Sequence, residues 1–236
     1  MITALIKIFF IAFALQGVPE ETVSKAKDDF SKLNKVFFAE KFSVEMEYKL
    51  YENHFNTVPV ETRSGYYFKS GKNDYSRIMD IETLHTPELT LVAMNEEKLI
   101  TVSGPASQRM GLSVGPDTLL RFCKQIKFSD NQDTRKYELY FNENSSTEFN
   151  KIELSFDIKT YQLNKFIIYY NEREKILENG TLQLIKPKVE IAYKNYNKAK
   201  GTPEFSEGKY VTKIGANKYK STGKYASYKV YNQKIK

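Results

Sequence analysis

Tryptophan is absent from the 236 residues, cysteine occurs once, histidine twice, and glycine and proline only eleven and seven times. Each shortage closes a class of readings. A single thiol, Cys123, cannot form an internal disulfide, so the fold has to stand on its hydrophobic core. With only His54 and His85, both expected in loops, and Cys123, a zinc site would have to be mostly carboxylate, and no HExxH, HxxEH or CxxC spacing exists. Phosphate loops, the GxGxxG fingerprint and the GxSxG elbow are missing as well. Carboxylate pairs such as Glu96-Glu97 and Asp28-Asp29 fall where a loop or a helix would expose them to solvent. The chain therefore reads as a binding protein rather than an enzyme, with no cofactor and no metal.

Arginine is scarce too, six residues against thirty lysines. The net charge of +7 is unevenly placed: residues 186–236 hold thirteen Lys against three Glu, a local +10, and everything before them carries −3. Arginine is the residue expected where bidentate phosphate or base contacts matter, so this basic segment is not read as a nucleic-acid site. A solvated lysine face, packed as an edge strand or mobile, is its reading.

No hydrophobic run is long enough to span a bilayer, which needs about 20 apolar residues. The longest is Ile8 to Leu15, after Lys7 and before Gln16, Gly17 and Pro19-Glu20-Glu21. A charged start, a short apolar run and small residues before polar sequence make a secretory signal peptide over residues 1–17. No cysteine follows it, so a soluble exported protein without a lipid anchor is expected.

What the chain has in quantity is aromatic: seventeen Tyr and sixteen Phe. From Glu21 to Phe38 the residues Val23, Ala26, Phe30, Leu33 and Phe37 form the stripe of an amphipathic helix, leaving Lys25, Asp28, Asp29 and Lys32 to solvent. The period then switches. Phe42, Val44, Met46, Tyr48 and Leu50 alternate with polar residues, which is a strand with one apolar face. Hairpins follow at 65–79 and 89–102, and a helix is expected at 117–128, with Leu119, Phe122, Cys123 and Ile126 on one face. Cys123 reads there as a small buried hydrophobe. Strands resume at 136–142, 151–157, 165–170 and 189–196, with loops such as 157–160 and 171–175 connecting them as hairpins, giving one sheet of seven to ten antiparallel strands in a single domain over residues 18–215, before a basic tail at 216–236.

The order of these elements resembles the bacterial lipoprotein-carrier superfamily of LolA and LolB over about Glu21 to Ile214. The pieces that carry it are Phe37-Phe38-Ala39-Glu40-Lys41-Phe42, then Gly65-Tyr66-Tyr67-Phe68-Lys69-Ser70-Gly71-Lys72 with Tyr75-Ser76-Arg77, then Leu154 to Phe166, and Lys200 to Ser206. The resemblance implies a strongly curved, incomplete antiparallel barrel with flanking helices around a hydrophobic cavity. It also implies a periplasmic carrier of lipoproteins or other acyl-bearing ligands that needs no nucleotide. Its partners would be acyl chains and membrane lipoprotein-sorting components, and the protein itself is expected to be a monomer. The implied cavity lining is Phe42, Val44, Met46, Tyr48, Leu50, Tyr66, Phe68, Ile152, Leu154 and Phe156. One place departs from the family: where its carriers have an arginine that reaches the lid, this chain has Lys69-Ser70-Gly71, and the nearest arginine is Arg77. The alternative to a carrier is a non-catalytic scaffold or interaction subunit of a cell-envelope assembly built on the same fold.

Overall fold

The computed structural model describes residues 19–105, 116–142, 147–176, 180–198, 205–216 and 218–233. The expected leader, most of the 104–115 loop and residues 199–204 lie outside the described residues. Helix α1 (Glu20–Phe37) starts after Pro19, with Glu20 and Glu21 in its first turn and Lys35 in its last, as the helix dipole favours. Its buried face is the expected stripe of Ala26, Phe30, Leu33 and Phe37, with Val23 packed at its margin. Asp29, expected in solvent, is instead buried on the same face, at 2% exposure.

One large curved, open antiparallel sheet makes up most of the protein. A first meander runs β1 (Lys41–Tyr51), β2 (Glu61–Ser70), β3 (Asn73–Ile78), β4 (Ile81–His85), β5 (Thr90–Met94) and β6 (Leu99–Ser103). After α2 (Pro116–Arg121), a second meander enters at the far edge and walks back through β7 (Cys123–Asn131), β8 (Thr134–Phe141), β9 (Phe149–Asp157) and β10 (Leu163–Tyr170). A separate ribbon of β11 (Arg173–Ile176) and β12 (Leu182–Ile185) intervenes, and β13 (Lys188–Lys194) then joins the meanders by pairing with both β10 and β1. The last segment forms the hairpin of β14 (Val211–Gly215) and β15 (Lys218–Ser221), then β16 (Lys229–Asn232), which pairs parallel to β6.

The sheet thus has twelve strands, more than the seven to ten expected, and one parallel pair at its edge. Of the two readings of the basic tail, the edge strand is the one observed. Three further local readings need correction. His85 lies in a strand, β4, and not in a loop. The helix expected over 117–128 stops at Arg121, because Ile126 and Phe128 alternate with Gln125 and Lys127 and pair with Leu139 and Tyr137 of β8. The expected hairpin between residues 165–170 and 189–196 is interrupted by the β11–β12 ribbon.

Two cores lie on opposite faces of the sheet. On the inner face, α1 covers residues of β1 and β7–β10, including Val44, Met46, Tyr137, Leu139, Ile152, Leu154 and Phe156. On the outer face of β3–β6, a second core of Tyr75, Leu84, Leu91, Ile100 and Val102 is roofed by Tyr210, Val211 and Tyr225 of the C-terminal segment. Strand alternation allows this, because residues facing away from α1 on β3–β6 find a different cover. The outer face of the other half carries an ionic ladder instead. Lys136 and Lys151 bridge Glu153 at 2.8 and 2.5 Å, and Lys165 bridges Glu190 at 3.1 Å.

Candidate functional site: an apolar trough on the concave face

The strand registers line up a cross-strand row on the inner face: Met46, Gly65, Ile78, Ile81, Met94 and Leu99 are successive partners from β1 to β6. At about 4.8 Å per strand the row spans roughly 24 Å. Met46 is buried at 3% exposure, whereas Ile78, Ile81, Met94 and Leu99 are only half covered. A second row crosses the other way: Tyr48 pairs with Ile191, Ile191 with Phe166, and Phe166 with Leu154. Tyr48, Phe166 and Ile191 are half-buried and pack against the core under α1. The two rows make one apolar trough along the inner face, covered under α1 and partly exposed over β3–β6.

Gly65 is second in the first row, between Met46 and Ile78, where a side chain would fill the trough floor. A Cβ there would come within 2.8 Å of the Arg77 carbonyl oxygen, so the close approach of β3 requires glycine. Tyr48 donates to the Met46 sulfur at 3.4 Å, and burial pushes its phenol up to about 12.

Of the ten residues expected to line a cavity, eight are on this inner face and two are not. Phe42, Val44, Met46, Ile152, Leu154 and Phe156 are all at 4% exposure or less and belong to the filled core against α1. Tyr48 and Leu50 remain half-buried. Tyr66 and Phe68 face the other way: Tyr67, between them, takes the inner face opposite Val44, so its neighbours pack on the outer core beside Tyr75. Ile78, Ile81 and Met94, which border the partly exposed part over β3–β6, and Phe166, in the row under α1, are not singled out by the sequence. Their signal is the register, which needs the pairing of strands far apart in the chain.

Helix α1 is fixed over its half of the trough by a buried polar cluster. Asp29 accepts from Arg135 Nη1 at 2.8 Å and from the Tyr137 hydroxyl at 2.6 Å. Arg135 also grips Asp130 through two 2.6 Å bonds, which together with Asp29 strengthen its positive charge against the cost of burial. Burial and then the Asp29 hydrogen bond push the Tyr137 phenol far up. At the other end of α1, Lys69 donates to the Phe38 carbonyl at 3.0 Å and lies over its ring at 5.5 Å. At the place where the resembling carriers have an arginine, this chain has Lys69, whose ammonium holds the end of α1.

The second core is tied by Glu82, 3% exposed, which accepts from Tyr75 at 2.9 Å, Tyr210 at 3.1 Å and Lys224 at 3.2 Å. Burial alone would raise this carboxyl; the Tyr75 hydrogen bond and the Lys224 charge overcome it and hold it at about 2. Asp74, His85 and Thr90 also approach one another, with His85 Nδ1 2.8 Å from the Thr90 hydroxyl. His85 Nε2 is 4.0 Å from Asp74, beyond hydrogen-bond reach, and Thr90 is buried at 7% exposure, which does not make a relayed nucleophile. Cys123, at the start of β7, is half-buried, and burial pushes its thiol up to about 12, far from a reactive thiolate. Among the described residues no three His, Cys, Asp or Glu side chains converge to hold a metal, and no helix is long and apolar enough to cross a membrane.

No protein-family model matches the chain, and no curated protein matches it. Among solved structures it is similar to a LolA superfamily protein from Nitrosomonas europaea, with 15% identity over 77% of this chain and 97% of that one, at a TM-score of 0.31. It is also similar to the lipoprotein LppX of Mycobacterium tuberculosis, with 7% identity over 75% and 98% of the two chains and a TM-score of 0.41. A third is a putative outer membrane lipoprotein-sorting protein domain from Vibrio parahaemolyticus, with 10% identity over 77% and 95% and a TM-score of 0.32.

Proposed function

We propose that the protein is a non-catalytic carrier or binding protein of the periplasm for acyl-bearing ligands, lipoproteins among them. The observation that carries this reading is the half-covered apolar row over β3–β6, continuous through Gly65 with the closed core under α1. An acyl chain laid along it would cover Ile78, Ile81 and Met94, and each methylene removed from water contributes about 0.8 kcal/mol. Transfer to an acceptor needs only a difference in affinity, and the chain carries no nucleotide-binding motif.

The test is titration with a dansyl-labelled fatty acid. Substitutions at the half-covered positions, Ile81→Glu and Met94→Glu, are preferred to changes at Met46 or Phe156, whose burial makes an unfolded variant the expected result. The double variant should stay folded and lose at least tenfold in affinity. Unchanged affinity in the folded variant, or no binding by the wild type, refutes the reading. The scaffold alternative is favoured by one observation: β7, nine residues long, ends the sheet and offers its outer edge to a strand of a partner. A protein that binds no acyl probe but captures a strand at β7 would belong to that class.

A further inference from the structure

Some lysines of the C-terminal region have partners, and Lys209 lies over the rings of Tyr75 and Tyr210. Lys186, Lys194 and Lys224 pair with Glu172, Glu47 and Glu82, and Lys188 donates to the carbonyls of His54 and Asn56. Lys213, Lys218, Lys220 and Lys229 differ: among the described residues none of them has a carboxylate partner. All four lie on β14, β15 and β16, and all are exposed. Within residues 205–233 the single acid is Glu207, whose carboxylate is already engaged by the Thr86 hydroxyl.

The same strands expose apolar side chains beside these charges. Ile214, near the tip of the β14–β15 hairpin, is 63% exposed, and Tyr231 on β16 is 63% exposed. The hairpin is rooted rather than loose: Val211 and Tyr210 are buried in the outer core, and Ser221 donates to the Tyr228 carbonyl at 2.8 Å. Tyr210 and Lys224, before and after the hairpin, both bind Glu82. A fixed finger with an apolar tip among unneutralised lysines matches a surface that is diffusely negative outside and apolar just beneath, which is a bilayer of anionic lipid. The use of lysine without arginine fits a field of head groups rather than one bidentate phosphate.

We propose that the β14–β15 hairpin docks the protein on an anionic lipid surface. The hairpin is on the outer side of the sheet, whereas Lys229 and Tyr231 of β16, the register partners of Leu99 and Thr101, are on the side of the trough. Truncation at residue 216 cannot test it, because that would remove buried Tyr225 and edge strand β16. Charge reversal can. Co-sedimentation with equimolar phosphatidylglycerol–phosphatidylcholine vesicles should show binding, with far less to phosphatidylcholine alone. The triple variant Lys213→Glu, Lys218→Glu, Lys220→Glu should bind at least tenfold more weakly and unfold at the wild-type temperature; if it is unstable, the corresponding Lys→Gln triple replaces it. Ile214→Ser should weaken binding further at high salt, where screening shortens the Debye length from about 10 Å at 0.1 M to 3 Å at 1 M. The control Lys124→Glu, Lys127→Glu on β7, at the opposite sheet edge, makes the same kind of charge change and should leave binding intact. Equal binding by the hairpin triple and the wild type, equal loss in the β7 control, or no preference for the anionic vesicles overturns the proposal. So does a wild-type dimer in light scattering that the hairpin variants split without any vesicle binding, since the finger would then be a self-association surface.

Discussion

Replacing Asp29 with alanine should detach helix α1 from its polar anchor while leaving its apolar stripe intact. The variant removes the one acceptor shared by Arg135 and Tyr137. Tyr137 is at 0% exposure, so its hydroxyl cannot turn to water, and an unsatisfied buried donor costs about 1–3 kcal/mol. Arg135 loses a partner too, but it keeps both bonds to Asp130, so the loss stays below the roughly 3–5 kcal/mol of a fully broken buried pair. The sum is about 3 kcal/mol. At roughly 2–4 °C per kcal/mol for a domain of this size, the melting temperature should drop by about 6–12 °C. Asp29→Asn keeps an oxygen for Tyr137 and should recover about half of the loss. Adding Tyr137→Phe to Asp29→Ala should cost less than the two single changes together, with a coupling of about 1–2 kcal/mol in urea denaturation followed by circular dichroism. An Asp29→Ala variant within about 0.5 kcal/mol of wild type, or a strictly additive cycle, would show that the apolar stripe alone seats the helix.

Two further outcomes follow from the trough and the outer core. Glu82 is held at about 2 in the fold, below the ordinary 4.5, so its contribution is fully present above pH 4.5 and is lost as pH falls through about 2. Glu82→Gln should therefore lower the urea midpoint at pH 7, by about 1–3 kcal/mol of stability, and flatten its fall between pH 4.5 and 2; a variant with the wild-type acid profile would mean that another carboxylate sets it. Gly65→Ala forces a methyl against the Arg77 carbonyl and should cost about 1–3 kcal/mol in the same assay, and a neutral effect would mean that β3 yields at this point.

Legibility in the sequence followed from how many faces of an element are buried. Helix α1 and strand β1 each have one covered face, so their apolar residues recur with a clean period, and both were readable nearly to their ends. Strand β4 was not, because it lies between the outer core and the trough. It has Leu84 on one face and Ile81 on the other, with buried Glu82 among them, and no single-faced pattern results. Asp29 is hidden for a related reason: beside Lys27, Asp28 and Lys32 it looks like one more solvated charge, and only partners more than 100 residues away, Arg135 and Tyr137, give it a buried role. The tail was read as a lysine surface because its tyrosines are spaced among charges, whereas Tyr210 and Tyr225 are in fact stacked at 4.8 Å inside the second core.

One signal for that second core was present and had a physical meaning beyond a strand. Tyr66-Tyr67-Phe68 places three aromatic residues in succession, and in an extended chain consecutive side chains point to opposite faces. Such a run has no polar face, so the sheet at β2 must be covered on both sides. Tyr67 goes to the core under α1, and Tyr66 and Phe68 go to the core under the C-terminal segment. Strand β2 is therefore where the cover changes sides, with Gly65, inside the same strand and buried, where β3 comes close. The partly exposed half of the trough follows from this switch. Once the outer face of β3–β6 holds the core, the apolar residues of its inner face stay only partly buried.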